Sequence, residues 1–89
     1  MQELANMKGQ SRFSFIRAFK KVKGITPARY LILKRIEASK ELLRKGNTII
    51  DAALSTGFFD QSHLSRNFKK ITGITPRQFQ LACNIIQES

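Results

Sequence analysis

Apolar residues recur along the chain at intervals of three and four, and no stretch alternates at period two for long enough to make a strand. Between positions 60 and 72, Leu64, Phe68 and Ile71 fall at i, i+4 and i+7 and form one apolar stripe. Successive helical residues turn by about 100°, so the opposite side carries Ser62, Ser65, Arg66 and Lys69, with Gln61 at its rim. The stretch 11–23 repeats the design. Phe15, Phe19 and Val22 are expected to pack, while Phe13, Ile16, Arg17 and Lys20 face away and Arg12 lies at the rim. The pattern and its punctuation predict helices over 2–7, 11–23, 27–45, 49–56, 60–72 and 76–86. The expected fold class is all-α.

The punctuation has physical causes. Gly24 and Gly73 stand where a helix ends on a left-handed residue. Thr26-Pro27 and Thr75-Pro76 place an N-cap hydroxyl before a first-turn proline, whose missing N–H would have no partner anyway. Gly46 ends the long central helix. Thr48 with Asp51 has the spacing of a capping box, and Asp60 is placed to cap the next helix after the Gly57-Phe58-Phe59 turn. Along the central helix Ile32, Ile36 and Leu43 are expected to bury, and Glu37 four residues before Glu41 gives no favourable pair.

These signals repeat. Phe19-Lys20-Lys21-Val22-Lys23-Gly24-Ile25-Thr26-Pro27 recurs as Phe68-Lys69-Lys70-Ile71-Thr72-Gly73-Ile74-Thr75-Pro76, 49 residues later. The match extends back to Arg17 with Arg66 and forward to Tyr30 with Phe79. Two copies are too few for a solenoid, so one helical unit has been duplicated. Each copy has a short helix, a glycine-containing turn (Gly9, Gly57) and a helix with an apolar back and a polar, arginine-bearing front. That is helix-turn-helix organisation. The expected parts are 1–26 (first helix-turn-helix), 27–46 (linker helix) and 47–89 (second helix-turn-helix with a C-terminal helix).

Charge narrows the function. The 89 residues hold 16 Lys+Arg and 6 Asp+Glu, a net charge of +10 that points to a polyanionic partner. Hydrophobic residues make up 42% of the chain, enough for a core, so it does not read as a disordered basic tail. Cys83 is the only cysteine, which excludes a disulfide framework and suits a reducing compartment; it is expected to be a small buried hydrophobe. No apolar run approaches the roughly 20 residues of a membrane span. The N-terminal residues lack the basic start of a signal peptide, so the cytoplasm is the expected location. No nucleophile–base set, paired carboxylates, phosphate-cradling glycine loop, cofactor motif or metal-ligand spacing is present, so no enzyme is expected.

Arg17 and Arg66 are the first candidates for base contact, because a guanidinium pairs bidentately with guanine O6 and N7; a salt bridge or phosphate contact is the alternative. Gln61 could pair with adenine, and Ser62 and Ser65 suit bases, phosphates or plain solvation. Phe13 and Ile16 could meet thymine methyls, or Phe13 could fold back on the first short helix. Lys20, Lys21, Lys69, Lys70 and Arg77 fit phosphates, helped by the helix starts at Thr26 and Thr75. His63 fits a phosphate hydrogen bond or a cap rather than a metal.

Leu4-Ala5, Gly9, Ser11, Arg17, Phe19-Lys20 and Gly24-x-Thr26-Pro27 resemble the first helix-turn-helix of the AraC/XylS family of bacterial transcription regulators. Asp51-x-Ala53, Gly57-Phe58-x-Asp60-Gln61-Ser62, Arg66-x-Phe68-Lys69 and Gly73-x-Thr75-Pro76 resemble its second, more specific signature. The resemblance covers nearly the whole chain and implies two helix-turn-helix subdomains of homeodomain-like helical units. It differs at Gln10 and Ala52, where larger or more apolar residues are common, and at Leu64, where an aromatic is common. It implies base-facing positions at Phe13, Ile16 and Arg17 and at Gln61, Ser62, Ser65 and Arg66, to which Arg12 is added at the rim. The implied partners are double-stranded DNA and RNA polymerase, with a separate effector-binding or dimerisation domain in the full-length protein and a monomeric DNA-binding domain. A linker of about 27 Å would set two reading helices in major grooves about 34 Å apart on one asymmetric site. A basic helical module for structured RNA, or for an acidic protein partner, is the rival reading.

Overall fold

The computed structural model describes residues 12–88, and the side chains of residues 12–86. The expected helix at 2–7, the Gly9 turn and Gln10 lie outside the described residues. Five helices follow in order, with no strand among the described residues: α1 (Arg12–Lys23), α2 (Pro27–Arg44), α3 (Ile49–Ser55), α4 (Gln61–Thr72) and α5 (Pro76–Glu88). All five match the sequence expectation within two residues at either end. The chain divides into two compact units between Leu31 and Ile32, so α2 begins in the first and continues through the second.

In the first unit α1 ends at Gly24, whose φ is +83° and whose N–H donates to the Lys20 carbonyl at 2.7 Å. Thr26 starts α2 with its hydroxyl accepting from the Arg29 N–H at 3.2 Å. The return of the chain brings Tyr30 edge-on to Phe19 at 5.5 Å and 69°, with Phe15 beside Phe19 at 6.3 Å. Such ring pairs contribute roughly 0.5–1.5 kcal/mol beyond the area they bury. Lys23 lies over the Tyr30 ring at 5.5 Å. Val22 does not pack as its spacing predicts: it is 81% exposed. It belongs to the last turn of α1, and no described residue of this unit covers it, whereas its counterpart Ile71 packs against the core of the second unit.

The second unit is built on Phe68. With Ile36, Leu43, Ala52, Ala53, Phe58 and Leu64 it forms the buried core, flanked by half-buried Ile32, Leu42, Ile49, Ile71 and Phe79. Ala52 and Leu64, the described departures from the family pattern, are both fully buried. Ile36 and Leu43 bury as expected, but Ile32 only partly. Phe79 meets Phe68 at 5.5 Å and 65°, almost the geometry of Tyr30 on Phe19. Here too a cation, Arg44, covers the outer ring at 5.5 Å. The 49-residue repeat is therefore a repeat of packing.

The caps hold the same elements in place. Thr48 accepts from the Asp51 N–H at 3.2 Å, and Asp60 from the His63 N–H at 2.7 Å. Thr75 and Gln78 form a reciprocal box, the hydroxyl accepting from the Gln78 N–H at 3.1 Å and the Gln78 side chain from the Thr75 N–H at 2.9 Å. Gly73 closes α4 at φ +87°, where a side chain would add strain. Gln80 ties α5 to the end of α2 by donating to the Leu43 and Asn47 carbonyls at 3.0 and 2.7 Å. Beyond Gln80, α5 runs past the core. Leu81 and Ile86 are 51% and 72% exposed, and Cys83 is half-buried rather than buried. Glu37 and Glu41 do not meet each other; each pairs with the basic residue one turn on, Lys40 at 3.0 Å and Arg44 at 3.1 Å.

Replacing Phe68 with Ala removes the centre of this core and should cost about 3–5 kcal/mol. Urea denaturation would measure it; a loss below about 1 kcal/mol would mean that the ring pair is not what the second unit depends on.

Candidate nucleic-acid interface

The amphipathic pattern of α4 buries Leu64 and Phe68, and this fixes which residues face outwards. Gln61, Ser62 and Arg66 are exposed and Ser65 is half-buried on the side away from the core. Lys69 and Lys70 continue that side for another turn. An open depression of about 580 Å³ is lined by Ser65, Arg66, Asn67, Lys69, Lys70 and Thr75. It unites two base-contact candidates with three phosphate candidates. Gln61, Ser62 and Arg77 are exposed but do not line it. The half-buried Thr75 hydroxyl is engaged as the α5 cap, which keeps this helix start in place at the edge of the depression.

On α1, Arg12, Arg17, Lys20 and Lys21 are exposed and Ile16 is half-buried. Phe13 is 71% exposed, so its ring is turned to solvent. Arg17 makes a long 3.4 Å contact to the Ser14 hydroxyl, an interaction too weak to hold the guanidinium against a better acceptor. Thr26 is half-buried and caps α2. The two fronts differ in chemistry. That of α1 presents Phe13 and Ile16 beside its arginine, whereas α4 presents hydroxyls at the matching positions, Ser62 and Ser65.

The distribution of charge separates these faces from the rest of the chain. Neither α1 nor α4 carries an acidic residue. The ion pairs between described residues both lie on α2. The cations of α1 and α4 thus have no carboxylate partner among the described residues, an arrangement suited to an external anion.

His63 has a structural duty. Its Nδ1 accepts from the Phe59 N–H at 3.1 Å, and the buried Phe58 ring meets it edge-on at 5.2 Å. An imidazole accepting at Nδ1 carries its proton, when neutral, on Nε2. The capping alternative is what this geometry displays, and Nε2–H remains as a donor. Two residues outside the sequence-based site also stand out. Phe59 is 84% exposed just before the Asp60 cap. Its neighbour Phe58 is buried, and the adjacent phenylalanines at the Gly57 turn are the signal the sequence offers. Asn67 lines the depression while its amide donates to the His63 carbonyl at 2.9 Å. Its place on the front face was hidden because it lies between the stripe and the arginine.

Among the described residues no three His, Cys, Asp or Glu side chains gather as metal ligands, and no helix is long and apolar enough to cross a membrane.

Comparison with known proteins agrees with this architecture. The family model described as a helix-turn-helix domain matches residues 4–82. An uncharacterized HTH-type transcriptional regulator of Bacillus subtilis, YbfI, is 45% identical over 64 residues, which are 72% of this chain and 23% of that protein. The probable transcription factor PqrA of Proteus vulgaris is 40% identical over 78 residues, 86% of this chain and 64% of its own length. The chain thus spans less than two-thirds of either relative. A crystal structure of a transcriptional regulator from Chromobacterium violaceum, described as AraC-type DNA-binding domain-containing, superposes with a TM-score of 0.78 at 28% identity, covering 92% of this chain and 74% of that one. With the duplicated packing, the two basic fronts and these relatives taken together, the chain belongs to the AraC-type helix-turn-helix family of transcription regulators.

Proposed function

We propose that the chain binds double-stranded DNA sequence-specifically, with α1 and α4 as reading helices in successive major grooves of one asymmetric site. The observation that carries this reading is the charge pattern: all charged residues of α1 and α4 are basic, while the described ion pairs are confined to α2. The length of α2 supports the two-groove geometry. Its 18 residues span about 27 Å, which with the turns at either end approaches the roughly 34 Å between grooves on one face. On this reading residues 27–46 are the linker between helix-turn-helix parts 1–26 and 47–89.

Arg17 and Arg66 read guanine, and Arg12, Gln61, Ser62 and Ser65 contact neighbouring base edges. Phe13 and Ile16 contact thymine methyls. Lys20, Lys21, Lys69, Lys70, Arg77 and the Nε2 of His63 engage phosphates, with Thr26 and Thr75 at the helix starts. The domain acts as a cytoplasmic monomer without catalysis of its own. In a longer protein it is joined to an effector-binding or dimerisation domain and touches RNA polymerase.

Gel-shift competition with duplex DNA, A-form RNA and heparin at two salt concentrations tests the polymer class. If Z phosphates are neutralised, log K for duplex DNA should fall against log[salt] with a slope of about −0.9Z. A slope near zero, or preference for A-form RNA, would remove the duplex reading. Phe13→Ala should weaken binding at thymine-bearing steps yet change unfolding free energy by no more than about 0.5 kcal/mol, as expected of an exposed side chain. A large fall in melting temperature would return Phe13 to a packing role.

A further inference from the structure

Four described glycines have a left-handed backbone, and three of them have open space where a side chain would begin. No atom lies within 4 Å of a Cβ built at Gly24, Gly46 or Gly73. Gly57 is different. A Cβ there would lie 3.0 Å from Nε, 3.2 Å from Cζ and 3.4 Å from Nη2 of Arg35. The guanidinium of a residue on α2 therefore rests on the bare Cα of the turn between α3 and α4. Gly57 serves two constraints at once, its φ of +93° and the room it leaves for Arg35.

The contact is one of packing. Arg35 is half-buried and takes no part in the ion pairs between described residues, which its neighbours Lys40 and Arg44 form on the same helix. The turn beneath it is short, and its first N–H groups are bonded. The Gly57 N–H donates to Leu54 and the Phe58 N–H to Ala53, and three residues beyond Gly57 the Asp60 carboxylate caps α4. The guanidinium thus lies on the turn that leads directly into α4.

We propose that Arg35 is a positioning residue for DNA discrimination: through Gly57 it sets the direction of α4 and so the register of Gln61, Ser62 and Arg66 on the bases. This rests on the reading of α4 as a DNA-reading helix. Phosphate contacts supply affinity without sequence information, whereas base-edge contacts demand exact placement. A displaced α4 therefore loses discrimination first.

The test uses a duplex enriched from a random library and a scrambled duplex of the same length and composition. Arg35→Ala and Arg35→Lys should each bind the enriched duplex about tenfold or more weakly, because a lysine lacks the planar group that covers Gly57. Affinity for the scrambled duplex should stay within about twofold and the salt slope should be unchanged. In unfolding experiments Gly57→Ala should cost less stability in the Arg35→Ala background than in the unsubstituted chain, since only the backbone strain then remains. Three results would overturn the proposal: weakening of both duplexes with a slope shallower by about 0.9, which marks Arg35 as a phosphate contact; full rescue by lysine; or a Gly57→Ala cost independent of Arg35. An unsubstituted chain that binds neither duplex overturns the DNA reading and this proposal together. Because it appears before any substitution, that failure is distinguishable from one confined to Arg35.

Discussion

Each unit turns on one aromatic contact. Phe19 and Phe68 lie on helices that end at a left-handed glycine, and Tyr30 and Phe79 return to them edge-on from the helices that follow, at the same 5.5 Å. The intervening Gly-Ile-Thr-Pro segment supplies the geometry. The glycine takes the positive φ, the threonine caps the next helix, and the proline begins that helix without leaving a donor unpaired. With the ring pair and the turn both set, the rotation of α1 and α4 about their axes is set as well, and so is the face each turns outwards. The cations Lys23 and Arg44 lie 5.5 Å from the centroids of the outer rings.

From that constraint the exposed basic face of the second unit follows. Burying Leu64 and Phe68 leaves Arg66, Lys69 and Lys70 outside, beside the Thr75 cap, and with Ser65 and Asn67 these residues line an open depression. The two units reuse one scaffold with different surfaces. The front of α1 is partly apolar and that of α4 hydroxylated, a difference that suits an asymmetric target more readily than a repeated one.

Much of this was legible in the sequence. The helices, the caps at Thr48, Asp60 and Thr75, and the burial of Ile36, Leu43, Leu64 and Phe68 follow from local rules, in which periodicity and capping hydroxyls act within a few residues. What escaped depends on contacts between distant positions. Val22 carries the right spacing but meets no described residue that would cover it, because spacing tells which side a residue faces and not whether anything lies there. The Gln80 bonds to the end of α2 and the Arg35 contact on Gly57 join residues 22 or more apart. Cys83 and Leu81 fall on a helix that outruns its core, an outcome set by where the core stops.

On the proposed reading, one chain lays two reading helices on neighbouring turns of the same duplex. Guanine-methylation interference on a duplex recovered by selection addresses it directly. Two clusters of interference are expected about 10–10.5 base pairs apart on one face, unrelated by two-fold symmetry, one lost with Arg17→Ala and the other with Arg66→Ala. A single cluster, or two related as an inverted repeat and lost together, would overturn the two-groove reading.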